Sequence, residues 1–228
     1  MTRKSVADGA VERIQGMILG GEIAVGARMA SQTEMSARLG ISRATLREAL
    51  STLETLGFLS IEPGRGTFVV SDAPTRSGAL SRWRFGPGYS EREVFQTRLA
   101  LECAIAAEAA RRIDPAIVTE LRAATDKMRA GWRSQDLIGV FRHDSRFHEM
   151  IVASCGNRMM RDLYDGARVM FQETQSHPIP VTRPDRAEAS AAEHDAIADA
   201  LQARDAEAAA AAMERHIRNT AAGLDLEI

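Results

Sequence analysis

Apolar residues recur three and four positions apart along most of the chain, and the breaks in that rhythm mark its parts. Val6, Ala10, Ile14, Met17 and Ile18 form one helical stripe, stopped by Gly20-Gly21. After a loop over Glu22–Arg28, Ser31 stands three residues before Glu34. That is the spacing of a capping box, and it predicts a short helix over Gln32–Leu39. Gly40 ends it, and Ser42 offers an N-cap hydroxyl to a third helix with the stripe Leu46, Ala49, Leu50 and Leu53. Phe58–Val70 then reads as two β-prone runs around the turn Pro63-Gly64-Arg65-Gly66, a hairpin. Residues 73–90 hold no period, and Pro74, Gly78, Gly86, Pro87 and Gly88 make them a linker. From Glu91 the helical spacing resumes, with segments at about 91–112, 115–133, 136–154, 157–175, 184–203 and 205–222. Pro115 and Pro184 suit first-turn positions, and Gly131 and Asp136 punctuate between helices. His177–Pro184 is one long non-helical connection.

The third helix carries more than a core stripe. Arg43 and Arg47 lie four residues apart and share its outer face, with Thr45 between them. Two helices joined by a tight glycine turn, the second bearing outward arginines, predict a helix-turn-helix. The hairpin that follows is its wing, with Arg65 at a tip where Gly64 and Gly66 let the backbone approach a partner. The expected fold class is mainly α. A winged helix-turn-helix with a small β-hairpin wing occupies 1–72, a linker 73–90, and an all-α antiparallel helical bundle 91–228.

Composition narrows the possibilities. The chain has 228 residues, 45% hydrophobic and 26% charged, with few aromatics, as expected of a helical globular protein. Its net charge is −2, so any contact with nucleic acid must come from a local patch. The stretch Arg28–Arg47 supplies one: Arg28, Arg38, Arg43 and Arg47 against Glu34. Cys103 and Cys155 are too few for a disulfide framework or a thiolate zinc site, and read as core thiols in a reducing compartment. No leader and no apolar run near the roughly 20 residues of a membrane span are evident, which predicts a cytoplasmic protein with no membrane partner. Trp83 and Phe85 in the linker are expected to dock on a domain rather than to bind nucleic acid.

Polar residues lie on the bundle's apolar stripes. Asp144 and His148, four apart, share a face with Val140, Phe147 and Ile151. His194 shares one with Ile197, Ala198 and Leu201, and His216 one with Ala209, Met213 and Thr220. A carboxylate and three imidazoles inside a bundle are costly unless paired or bound to metal. Such a set suits a divalent transition metal, zinc first, with nickel or manganese as alternatives. Arg98 falls on the stripe Val94, Leu101, Ile105, either as an ion pair with Glu102 or as an anchor for a carboxylate ligand. His143 and His177 lie off these stripes and read as surface residues.

Residues 6–70 resemble the DNA-binding domain of GntR-family transcription regulators. The resemblance rests on Gly26, Glu34, Leu39, the run Ser42–Leu50, Leu53, Gly57 and the run Gly64–Val69. It implies that Ser42, Arg43, Thr45 and Arg47 face operator DNA and that Gly64, Arg65 and Gly66 enter the minor groove. Thr33 stands where the family often has a DNA-contacting arginine. Residues 91–222 resemble the FCD effector-binding domain of the FadR subfamily, through Arg98–Glu102, Asp144–His148, Asn157, Glu193-His194 and Met213–Ile217. That likeness implies a metal held by Asp144, His148, His194 and His216. It also implies a small organic-acid effector in a cavity to which Arg98 and Asn157 contribute. Leu80–Arg84 resembles a segment of sugar-acid-responsive members. The expectation is a homodimeric repressor on a pseudo-palindromic double-stranded operator, controlled by a small carboxylate. The competing expectations are a metal-dependent enzyme using the same Asp and three His, and a direct metal-ion sensor.

Overall fold

The computed structural model describes residues 6–62, 64–72, 88–179 and 182–228. Trp83, Phe85 and the Leu80–Arg84 segment lie outside the described residues, as do Pro63 and most of the linker. The chain divides into two compact units, Met1–Arg82 and Trp83–Ile228.

The first unit holds helices α1 (Val6–Leu19), α2 (Gln32–Leu39) and α3 (Arg43–Thr55), and strands β1 (Leu59–Glu62) and β2 (Gly66–Val69). The capping box forms as expected: Ser31 Oγ accepts from the Glu34 amide and Glu34 accepts from the Ser31 amide. Gly40 ends α2 at φ +67, in the left-handed region, which turns the chain at once into the Ser42 cap of α3. The core is Ala10, Val11, Ile14 and Ile18 of α1 against Met35, Leu39, Leu46, Ala49, Leu50 and Leu53. The stripe on α1 is therefore rotated from the expected one: Val11 is buried, while Val6 is 63% exposed. The strands pair antiparallel, Leu59 opposite Val69 and Glu62 opposite Gly66. The loop before α2 adds to this sheet, with Arg28 bridged to Phe68 and the Met29 amide donating to Thr67. Glu54 at the end of α3 accepts from the Ile61 amide at 2.6 Å, which fixes the wing to that helix.

The second unit is an all-helical bundle of α4 (Glu91–Ala110), α5 (Pro115–Ser134), α6 (Leu137–Ser154), α7 (Arg158–Ser176), α8 (Pro184–Gln202) and α9 (Ala206–Ala222). Pro115 and Pro184 open their helices, and Ser90, Asp114, Asp136, Asn157 and Asp205 are side-chain N-caps. Helix α4 is central, packing on α6, α7, α8 and α9. Helix α5 packs on α6 and α8. Gly131 is not punctuation between helices. It lies within α5, where a Cβ would fall 2.9 Å from Val140 Cγ2, so its bare backbone lets α5 and α6 close together. Among the described residues no helix is long and apolar enough to cross a membrane.

Candidate functional site

Two constellations stand out, one in each unit. In the first, Ser42 accepts from the Thr45 amide at 3.1 Å and its hydroxyl meets that of Thr45 at 2.8 Å, so these side chains shape the start of α3. Arg43 and Arg47 are exposed, opposite the buried Leu46, Ala49, Leu50 and Leu53. On the wing, Arg65 is exposed, ion-paired with Glu62, and its guanidinium carbon lies 5.8 Å from the centre of the Phe68 ring. Gly64 and Gly66 have φ +73 and +121, and the Arg28 side chain packs against Gly66. This unit can offer an arginine-bearing helix and a basic hairpin tip to a polyanion.

In the second unit Asp144, His148, His194 and His216 converge from α6, α8 and α9, each offering one ligand atom within 4.8 Å of the others. Two ligands of one zinc-like ion, each about 2.0–2.2 Å from it, lie at most about 4.4 Å apart, so shifts of a few tenths of an ångström would close the shell. The imidazole centroids of His194 and His216 are 4.4 Å apart, and the edge of Phe147 packs on His194 at 4.6 Å.

The outer nitrogens of the three rings are already engaged. His194 Nδ1 donates to the Ser190 carbonyl at 2.8 Å. His216 Nδ1 lies 3.1 Å from Glu193 Oε2, and His148 Nδ1 lies 2.5 Å from Glu102 Oε2. Each arrangement leaves Nε2 as the free ligand, the usual way in which a supporting oxygen orients a metal-binding histidine. His194 Nε2 is buried without a hydrogen-bond partner and faces Asp144 Oδ1 at 3.1 Å. With Nδ1 carrying the ring's proton, these are two lone pairs pointed at each other, and a cation resolves the clash. The donor set therefore fits a divalent transition ion on chemical grounds.

Charge arrangement supports the same assignment. Burial pushes the His216 imidazolium down to about 3, so this ring is a neutral donor near neutral pH. Burial would raise Asp144, but His194 and the neighbouring rings hold it well below the usual carboxylate range. Glu102 and Glu193 are likewise resisted by burial yet held at about 2, the one by Arg98 and His148, the other by His216 and Arg186.

Beside the cluster lies a cavity of about 50 Å³. Asp144, His216, Arg98, Arg186 and Gln175 line it, with Met128, Trp132, Val140 and Ile179 as its apolar walls. A buried water needs about 10–15 Å³ on this measure, so the space suits a few non-hydrogen atoms. Arg98 satisfies both expectations at once. It is fully buried, donates through Nε to Glu102 at 2.5 Å and through Nη1 to Thr174 at 3.3 Å, and still faces the cavity.

Other expectations are corrected. Asn157 is exposed and absent from the cavity lining, and its side-chain oxygen accepts from the Met159 and Met160 amides as the cap of α7. His177 is half-buried rather than on the surface, with Nδ1 2.6 Å from Glu91, and His143 is half-buried as well. Glu102, Glu193, Arg186 and Trp132 were not foreseen in these roles. Glu193 adjoins His194 in sequence but serves His216 on another helix, a relation that spacing along one helix does not carry.

Comparison with known proteins follows the same division. The family model "FCD domain" matches residues 93–219, and that for "Bacterial regulatory proteins, gntR family" matches residues 6–69. HTH-type transcriptional regulator Mce2R of Mycobacterium tuberculosis is 30% identical over 180 residues, 76% of this chain and 73% of the relative. HTH-type transcriptional repressor RspR of Escherichia coli is 26% identical over 190 residues, 82% of this chain and 75% of the relative. Among solved structures, E. coli McbR/YncC superposes with a TM-score of 0.57 at 18% identity over 96% of this chain and 97% of that one, a likeness of fold.

Proposed function

The chain belongs to the GntR family of bacterial transcription regulators, with an FCD domain following its helix-turn-helix, and from that premise we propose that a small carboxylate, bound with a divalent metal in the helical cavity, controls its hold on operator DNA. Its relatives are regulators rather than enzymes, which leaves the cluster a binding task. The observation that carries the reading is the approach of His194 Nε2 to Asp144 Oδ1 at 3.1 Å, beside two further histidines whose Nε2 atoms are free of supporting oxygens.

Asp144, His148, His194 and His216 would hold the metal, and the metal would supply a positive centre for a carboxylate oxygen. Glu102, Glu193 and the Ser190 carbonyl orient the rings, while Phe147 walls the cluster on one side. Arg98 adds a second cationic contact at the cavity. The cavity of about 50 Å³ favours an acid of a few carbons, and a sugar acid would need it to widen. In the first unit Arg43 and Arg47, with Ser42 and Thr45 shaping the helix start, would meet bases and phosphates, and Gly64–Gly66 the adjacent minor groove. A homodimer in the cytoplasm would set two such helices on a pseudo-palindromic site. Repression is the mode we adopt, as the name of RspR states for that relative. The acid acts only by binding one arrangement of the DNA-binding units better than another.

The test pairs elemental analysis with operator binding of the full chain. Protein purified without chelator should carry about one transition-metal ion per chain, lost in His194→Ala. Metal with a small carboxylate should lower operator affinity, and metal alone should not. A metal-free wild type would end the metal reading, and operator affinity that followed the ion alone would make this a metal sensor.

A further inference from the structure

We infer that the cavity takes up its metal and its anion as one unit, and that the anion it accepts carries a single negative charge. This rests on the reading of Asp144, His148, His194 and His216 as the metal's ligands, and goes beyond it in saying what the site requires before that metal is held well.

The argument starts at Arg98. Its Nη2 lies 3.3 Å from His148 Nε2, while His148 Nδ1 lies against Glu102. A guanidinium can only donate and keeps its charge, so Nε2 must be accepting. The lone pair that a metal would need on His148 is thus already held by a cation. A metal arriving at Nε2 takes that acceptor away from Arg98. Arg98 is fully buried, so water cannot replace what is lost. Its other contacts cannot absorb the change: Nε is given to Glu102, and the Thr174 hydroxyl on Nη1 is itself committed to the Phe171 carbonyl at 2.7 Å. The bare metal would also stand close to a fixed positive charge. Metal alone is therefore opposed by Arg98 twice, through a broken hydrogen bond and through repulsion.

An anion in the cavity relieves both. Arg98 lines that space, so the displaced N–H can turn to an anion oxygen that also meets the metal. Charge balance then sets how much negative charge fits. Arg98 and Arg186 bring two positive charges to the cavity and its supporting groups, and Glu102, Asp144 and Glu193 bring three negative. Without metal the set is net negative by one and repels an anion. A divalent ion makes it net positive by one, which one monoanion neutralises, whereas a dianion restores the excess negative charge. Volume points the same way, since about 50 Å³ leaves room for one small carboxylate. By linkage the coupling is reciprocal: whatever factor the anion lends to metal affinity, the metal lends to anion affinity.

Calorimetry on the full chain, stripped of metal, tests this with zinc as the metal and acetate and malonate as the mono- and dianion. Acetate should raise zinc affinity about 10-fold or more, a typical coupling between linked sites. Acetate should show no saturable binding to the metal-free chain. Malonate, corrected for the zinc it binds in solution, should raise affinity less than acetate does. In Arg98→Met, zinc alone should bind more tightly than to wild type, and acetate should no longer matter. Because that variant leaves Glu102 buried without its partner, Arg98→Lys provides a second: it keeps a charge beside Glu102, cannot reach His148 as the longer guanidinium does, and should also bind bare zinc more tightly. Equal zinc affinity with and without acetate, acetate binding to metal-free protein, or malonate coupling as strongly as acetate would each overturn the inference and leave the metal site standing. Absence of zinc binding under every condition would remove the metal site beneath it as well.

Discussion

Glu193 and His216 meet across α8 and α9, with His216 Nδ1 3.1 Å from Glu193 Oε2. The same carboxylate takes both Nη atoms of Arg186 at 2.9 and 2.8 Å and the Asn219 amide at 2.7 Å. A side chain with that many donors does not rotate freely, and neither does the ring it holds. Glu193 thus fixes which nitrogen of His216 is left for the cavity, though it lines neither the cavity nor the ligand cluster.

Replacing it should loosen metal binding without unfolding the bundle. Glu193→Gln keeps the shape and one acceptor oxygen but gives up the charge that steadies Arg186 and His216. Metal affinity should fall about 10- to 100-fold, the usual effect of losing an orienting partner. Competition against a chromophoric chelator measures it, with circular dichroism to establish that helix content is kept. An unchanged affinity would mean that the ring is held by packing alone.

The metal-free protein should lose stability in acid, beginning above the carboxylate range. His216 sits at about 3 in the fold against an ordinary value of 6.5, so between these limits the unfolded chain binds a proton that the folded chain refuses. More protons on the unfolded side means that stability falls as pH falls. Glu102 and Glu193, each lowered from 4.5 to about 2, contribute stability that is present above 4.5 and lost as pH drops towards 2. The slopes share one sign, each up to about 1.4 kcal/mol per pH unit. Thermal melts in chelator should show Tm declining from about pH 6.5 and more steeply below about 4.5. His216→Gln should flatten the first part of that decline only.

Much of this architecture could be read from spacing because helices repeat locally. Gln32–Leu39 was bounded by one capping box and one glycine, and both features sit within a turn of the helix ends they define. Asp144, His148, His194 and His216 could be nominated together because each lay on the inward stripe of its own helix. What spacing could not supply was the partner of each stripe. The pairing of Glu102 with His148 and of Glu193 with His216 follows from α4 lying on α6 and α8 on α9, and no residue within a single helix encodes that choice. The same limit explains His177, placed off its own stripe yet half-buried against Glu91 of α4. It also explains Gly131, which looks like a break in sequence and acts as a close approach between helices.

Operator binding should depend on the two arginines of α3 without a matching loss of stability. Both are exposed, so Arg43→Ala and Arg47→Ala should shift unfolding free energy by less than about 0.5 kcal/mol. An arginine paired with a guanine edge contributes about 1–3 kcal/mol of discrimination, which corresponds to about 5- to 150-fold in affinity. Fluorescence anisotropy with operator and non-operator duplexes separates the cases. Weakening on operator alone marks a base contact, equal weakening on both marks a phosphate contact, and no change in either variant removes α3 as the reading helix.

Gly66 links the fold of the wing to its reach. At φ +121 it holds a backbone conformation that side-chain-bearing residues rarely adopt, and it faces Glu62 across the hairpin. A Cβ there would also fall 2.7 Å from Arg28 Nε. Arg28 is exposed and can swing aside, so backbone strain dominates, and Gly66→Ala should cost about 1–3 kcal/mol in the first unit. Gly64→Ala meets open space at φ +73, in the milder left-handed region, and should cost about 1–2 kcal/mol. The two variants should differ more in DNA binding than in stability, because only Gly66→Ala displaces Arg28, a cation of the basic patch that precedes α2. Urea unfolding followed by a probe in the first unit gives the stability order, and anisotropy on operator DNA gives the binding order. Equal operator affinity in the two variants, with the stability order as stated, would show that Arg28 packs on the wing without serving the contact with DNA.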